Sequence, residues 1–180
     1  MIDFWRHYFF SNGIFNFEIF CRLFISAILG FVIGFDRLAK RKPADIKTYT
    51  YVSISSCLIT VISIYSFQMY GHIGVKVNMD PMRLAAQIVS GLGFLGAGLI
   101  IKDGMRIKGL TSAAMDFFTG SVGIGIGAGF YGIVISAVGI TRIISFVGNK
   151  LERRVADTSE KKTSVKKARR NYDKNVEVSK

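Results

Sequence analysis

The sequence predicts an all-α fold: a polytopic membrane helix bundle of about five transmembrane helices with a short basic cytoplasmic tail. Three observations carry this expectation. Half of the residues are hydrophobic and the mean hydropathy is +0.36, whereas soluble domains are less apolar and carry more charge. The apolar residues are also clustered, in uncharged runs over 23–35, 48–71, 84–101 and 117–141. About 20 apolar residues suffice to cross the ~30 Å hydrocarbon layer as a helix. Finally, Lys and Arg, which bring the net charge to +12, gather between these runs and behind the last one.

Taken in order, residues 1–16 form an interfacial segment, since Trp5, Tyr8, Phe9 and Phe10 suit the lipid–water boundary. An early Asp3, the lack of a compact basic start and the lack of a small-residue cleavage site argue against a signal peptide. The membrane domain covers 17–148. Its first helix is expected over Phe17–Phe35. The uncharged part begins only at Leu23, so Glu18 and Arg22, or Asp36 and Arg37, sit at or inside the membrane boundary. The second helix fits Tyr49–Tyr70. The third fits Met82–Ile101, with Pro81 at a permitted helix start. The stretch 109–148 is too long for one crossing. Gly129-Phe130-Tyr131-Gly132 breaks it into a hairpin of helices, Leu110–Ala128 and Tyr131–Val147.

Five crossings put Arg37, Lys40, Arg41, Lys42, Lys47, Lys102, Arg106, Lys108 and the tail 149–180 on one side. Arg6, Lys76 and Arg83 are left on the other. The positive-inside rule then places the amino terminus outside and the tail in the cytoplasm. The tail alternates Lys and Arg with a few acids and has no nucleic-acid-binding signature; anionic lipid or an acidic partner suits it better than nucleic acid.

The segment SGLGFLGAGLI contains a literal G-x-G-x-x-G at Gly91, Gly93 and Gly96. A dinucleotide turn needs a strand before it and a helix behind it. Here RLAAQIVS precedes, and Asp116, at the distance of a ribose-binding acid, falls in another apolar run. The packing reading is favoured. At ~100° per residue, Gly91 and Gly98 share one face, while Gly93, Gly96 and Ala97 share a broadly opposite one. Small residues let membrane helices approach closely, so the third helix is expected at the centre of the bundle. Gly30 and Gly34 add a G-x-x-x-G to the first helix, and Gly109 and Thr111 open the fourth. These glycines also permit a bent or unwound binding segment of the kind found in transporters.

Ionisable groups within a membrane are default site candidates. Glu18 and Arg22 are spaced to pair along one helix face. Asp36 and Arg37 close the first helix, and Asp80 and Arg83 open the third, where Asp80 can also cap. One reading makes these neutral pairs or interfacial anchors; the other groups Glu18, Asp36 and Asp80 around a polar cavity for a cation or proton. Asp116 and Arg142 fall at similar distances from the turn joining the last two helices. They are expected either to pair or to separate, with Arg142 snorkelling to the interface. Cys21 and Cys57 read as apolar filler. No metal site is expected: His7 and His72 stand alone, and no carboxylate cluster suits a dry Mg²⁺ shell, so magnesium would act only as a weak or indirect ligand. No P-loop or nucleophile–base spacing indicates an enzyme.

With these residues in view, the chain resembles the MgtC/SapB family of bacterial inner-membrane proteins. The resemblance rests on Glu18-x-x-x-Arg22-Leu23, Ala27, Gly30, Ile33-Gly34 and Asp36-Arg37. It continues through Ala44-Asp45-Ile46-Lys47-Thr48-Tyr49 and the block from Asp80-Pro81-x-Arg83 to Gly96-Ala97-Gly98. It ends with Arg106-x-x-Gly109-Leu110-Thr111-Ser112-Ala113-Ala114. It implies a compact multi-helix membrane protein tied to magnesium limitation and to envelope or ATP-synthase regulation. Departures are Asp36 for Glu, Asp45 for Gly, Lys47 for Arg, Tyr49 for His, Phe117 for Trp and Asp116 for an apolar residue. Some members carry a folded carboxy-terminal regulatory domain, which a charged tail of about 30 residues is too short to supply. The leading expectation is a non-enzymatic regulator or adaptor in magnesium and membrane-energy homeostasis. Its partners would be the bilayer, another membrane complex such as ATP synthase, or further copies of the chain. The alternative is a small Mg²⁺, cation or proton transporter that uses intramembrane carboxylates.

Overall fold

The structure is a computed structural model that describes residues 13–38, 45–70 and 80–151, with side chains over 17–35, 45–68 and 80–151. The interfacial segment, Lys40, Arg41, Lys42, the side chains of Asp36 and Arg37, and most of the tail lie outside the described residues. Among the described residues five helices dominate: α1 (Gly13–Leu38), α2 (Ile46–Tyr70), α3 (Arg83–Leu99), α4 (Leu110–Gly127) and α5 (Tyr131–Leu151). A short antiparallel pair, β1 (Ile101–Asp103) and β2 (Arg106–Lys108), joins α3 to α4.

The all-α membrane architecture holds. By length and composition, three helices suffice to cross a bilayer, over Phe17–Phe35, Ile46–Gln68 and Tyr131–Leu151. The other two expected crossings are shorter. α3 has 17 residues and α4 has 18, about 26 and 27 Å at 1.5 Å per residue. The third helix was expected to reach Ile101, but it stops at Leu99 because Ile100 is already extended (φ −90°, ψ 112°). Behind it comes a β-hairpin, where the sequence shows only basic residues between two apolar runs. Asp103 pairs with Arg106, so the turn is Gly104-Met105, a Gly-X pair of the kind that favours a tight primed turn, and Gly104 has φ +60°.

Local chemistry closes the helix ends. The Asp45 carboxylate accepts the Ile46 N–H at 2.7 Å, and the Asp80 carboxylate accepts the Met82 N–H at 2.8 Å. α4 ends in a Schellman motif, with Gly129 left-handed (φ +85°), its N–H on Ile126 O at 3.0 Å, and the Phe130 N–H on Gly125 O at 2.9 Å. This is the break expected near Gly129.

α2, rather than α3, holds the central position. On one side a Cβ at Gly30 would lie 2.8 Å from Ser53 Cβ and 2.9 Å from Tyr49 O, and one at Gly34 would lie 2.8 Å from Ile46 Cα. On the other side Gly123 meets the Ser53 carbonyl, and a Cβ at Gly127 would lie 2.8 Å from both Cys57 O and Thr60 Cβ. α3 is buried on a single face, through Ala85, Ile88, Leu92 and Gly96, with Val52 and Ile124 packed alongside. Added Cβ atoms at Gly91, Gly93 and Gly98 meet nothing within 4 Å. The expectation that α3 lies between neighbours on both sides is therefore corrected for the described residues of one chain. Small residues permit close approach, but backbone contact is made where glycine meets the Ser- and Cys-rich face of α2.

By contacts the chain divides into residues 1–134 and 135–180. In the first unit, the start of α5 packs Val134 against Gly125. In the second, α5 exposes Ile135, Ile140, Ile143, Ile144 and Phe146, side chains suited to lipid.

Gly127→Ala should lower stability in detergent by about 1–3 kcal/mol, because the new methyl overpacks against backbone. Gly93→Ala, in open space on a helix, should be neutral or raise stability by up to about 1 kcal/mol. Graded SDS unfolding followed by circular dichroism measures both.

Candidate functional site

α1 brings Glu18 and Arg22 onto one face, one turn apart. The Arg22 Nη2 donates to Glu18 Oε1 at 2.5 Å, and its Nη1 donates to the Gly127 carbonyl at 2.5 Å. The Arg22 side chain is 13% exposed and that of Glu18 is 49%. The final carbonyls of a helix lack intrahelical donors and form the negative end of its dipole. Arg22 therefore closes the end of α4 from a neighbouring helix while Glu18 balances its charge. Gly129 lies beside it: a Cβ there would make ordinary contact with Arg22 Nη2 at 3.5 Å, so its left-handed φ of +85°, and not a lack of space, calls for glycine.

A polar seam continues through the bundle. The Ser26 and Ser53 hydroxyls are 2.8 Å apart, and Ser53 also donates to Ser26 O at 2.9 Å, tying α1 to α2. Ser63 donates to Pro81 O at 2.6 Å, fixing the entry of α3 beside the far half of α2. Thr60 and Thr119 instead bond back to their own helices, at Ser56 O and Met115 O. Interhelical hydrogen bonds of this kind contribute about 0.6 kcal/mol on average in membranes, so geometry more than energy is their product.

Among the described residues three buried polar atoms have no hydrogen-bond partner: Arg22 Nε and, deeper in the bundle, Asp116 Oδ1 and the Tyr49 hydroxyl. Asp116 is 2% exposed and Tyr49 is 0%. α2 and α4 run parallel, since Gly123 meets Ser53 and Ser56 while Gly127 meets Cys57 and Thr60. Asp116 precedes Gly123 by about two turns, and Tyr49 precedes Ser56 by about two turns. The two residues are therefore level on facing helices.

The remaining candidates are dispersed. The Asp80 carboxylate serves the Met82 N–H and Arg83 is exposed. Thr111 is exposed, while Gly109 (φ +89°) meets the Leu99 carbonyl and brings α4 back beside the end of α3. Gly96 makes ordinary contact with Ala113 at 3.6 Å. Arg142 is half-buried on α5, in the second unit. Asp36 and Arg37 end α1, and their side chains lie outside the described residues. Cys21 and Cys57 are free thiols. Among the described residues no group of three or more His, Cys, Asp or Glu gathers as a metal site. Four of the described acids are engaged at separate places: Glu18 with Arg22, Asp103 with Lys108, and Asp45 and Asp80 each with a backbone amide; Asp116 stands apart from them.

Sequence reasoning found the Glu18–Arg22 pair from its spacing but missed its carbonyl partner. It also missed the Ser26–Ser53 link, because serines within an apolar run carry no signal of which helix they face. Tyr49 was noticed only as a departure from a family pattern.

Such a bundle, with apolar exteriors and a polar interhelical seam, defines a polytopic helical membrane protein. The MgtC family profile matches residues 23–154, and the chain belongs to that family. It is 43% identical over 122 residues to an uncharacterized protein of Haemophilus influenzae, covering 67% of this chain and 51% of that protein. It is 43% identical over 118 residues to Protein SapB of Bacillus subtilis, covering 63% and 49%. With Escherichia coli "Putative magnesium transporter YhiD" it shares 35% identity over 141 residues, covering 77% and 64%. The chain thus spans about half the length of the first two relatives. No solved structure matches it significantly.

Arg22→Ala should destabilise the protein by on the order of 3 kcal/mol, because it leaves the buried end of α4 without its donor. Arg22→Lys should recover only part of this, since an ammonium lacks the planar fork that reaches two acceptors. Glu18→Gln, at a half-exposed site, should cost less than about 1 kcal/mol. SDS-unfolding midpoints of the three variants test the order.

Proposed function

We propose that this protein is a non-enzymatic regulator or adaptor of the bacterial inner membrane, acting in magnesium and membrane-energy homeostasis by docking α3 onto a helix of another membrane complex. The observation that carries this reading is the one-sided packing of α3. Its outer face presents Ala86, Ser90, Gly93 and Ala97, all exposed and spaced four, three and four residues apart. In lipid, such a face lets a second helix approach closely and gain dispersion and hydrogen bonding. On the other flank of α3, α2 and α3 bound an open apolar groove of about 520 Å³ that includes Tyr51, Ile59, Leu84, Ile88, Gly91 and Leu95. The magnesium connection is supported by the family and by the name of the E. coli relative. ATP synthase is the partner the family resemblance suggests. An outside amino terminus and a cytoplasmic tail agree with the basic residues at one end: Lys47 opens α2, and Lys102, Arg106 and Lys108 lie between α3 and α4.

A second reading is cation or proton transport. It is favoured by Asp116, a carboxylate enclosed by the bundle and level with Tyr49.

Two measurements separate the readings. A photo-crosslinker at Gly93 in growing cells should capture ATP synthase subunits under magnesium limitation, and Gly93→Leu should abolish capture and the magnesium-dependent phenotype together at unchanged protein level. The purified chain in liposomes should then pass neither Mg²⁺ nor protons. A flux lost in Asp116→Asn, with no crosslink at Gly93, would replace the adaptor by the transporter.

A further inference from the structure

The hairpin β1–β2 does more than connect two helices. In its register Lys102 pairs with Ile107, Ile101 with Lys108, and Asp103 with Arg106. Directly paired residues share a face, so each face carries an isoleucine and a cation. Ile101 is 60% exposed, Ile107 is 65% exposed, and Met105 at the turn is fully exposed. Lys108 and Asp103 form an ion pair at 2.6 Å, so the net positive charge comes from Lys102 and Arg106.

We infer that this hairpin is an anionic-phospholipid site, in which Lys102 and Arg106 bind lipid phosphates while Ile101, Met105 and Ile107 enter the acyl–headgroup boundary. Its position supports this. α3, about 26 Å long, is shorter than the ~30 Å hydrocarbon layer, so the strand that starts two residues after it begins at the membrane boundary. Gly109 holds the returning chain against the Leu99 carbonyl, which keeps the hairpin at that depth. A lone two-stranded hairpin is at best marginally stable in water, and these apolar side chains project from both faces and the tip. A flat protein surface would cover one face only, whereas the lipid boundary covers both. Lys and Arg beside buried apolar groups are the composition of interfacial anchors on anionic membranes. The inference rests on the membrane assignment alone and stands for an adaptor or a transporter.

The chain has a single tryptophan, Trp5, so Trp5→Phe with Met105→Trp gives one fluorophore at the hairpin tip. The full chain is reconstituted in vesicles of phosphatidylcholine with or without phosphatidylglycerol, and quenching by lipids brominated high on the acyl chain is compared with quenching by aqueous acrylamide. The expected result is lipid quenching that deepens with phosphatidylglycerol, and a preference for it that falls about fivefold for each charge removed in Lys102→Gln and Arg106→Gln. High salt should reduce the preference in the same direction. Equal quenching in both vesicle types overturns the inference. So does a tip open to acrylamide in both, or one shielded from acrylamide without lipid quenching, which would mean that protein covers it.

Discussion

The fold depends on backbone-to-backbone contact between α2 and its two neighbours. In a bilayer, burial of apolar side chains gives little drive for helix association, because lipid tails are as apolar as leucine. What remains is close packing and the satisfaction of polar groups. α2 offers Ser53, Ser56, Cys57 and Thr60, all small and all buried. α1 offers Gly30 and Gly34, and α4 offers Gly123 and Gly127. Where these surfaces meet, the helices lie close enough for hydroxyls to reach across, as in the Ser26–Ser53 link. A larger residue at any of these glycines would strike backbone or Cβ atoms that have no freedom to withdraw.

The same solvent makes every helix end a polar problem, since each exposed amide or carbonyl lacks water to replace its missing partner. The chain answers with short side chains at the starts of α2 and α3 and a glycine turn at the end of α4. The Arg22 bond to Gly127 joins this local solution to the tertiary one. A charged residue of α1 becomes part of the ending of α4, 105 positions away in sequence. Its retention inside an apolar bundle then follows from structure, and no ion pathway is needed to explain it. Asp116 is different. Nothing in the local geometry gives its Oδ1 a partner, and this is what keeps a transport reading in view beside the adaptor.

Much of this was legible in the sequence. Run lengths and charge placement gave the helices and their order, and the Glu18–Arg22 spacing gave an ion pair. Gly129 marked the break between α4 and α5. What stayed hidden was relational. The glycines of α3 are denser than those of α1, yet α3 is the less enclosed helix, because helical periodicity reports which residues share a face and not what that face meets. The hairpin is hidden because three basic residues between apolar runs read first as a topology signal, although Gly104 is a turn residue. Tyr49 and Asp116 come level only through the parallel alignment of α2 and α4, which no local pattern encodes.

The central claim, that α2 is clasped by α1 through its serine face, is most directly tested by cysteine pairing in native membranes. With Cys21 and Cys57 changed to Ala, Ser26→Cys and Ser53→Cys should form an intrachain disulfide under mild oxidation. Their hydroxyls are 2.8 Å apart, and bridged Cα atoms must lie within about 7 Å. If both thiols instead remain separately alkylatable under the same oxidation, the α1–α2 contact and the arrangement built on it are contradicted.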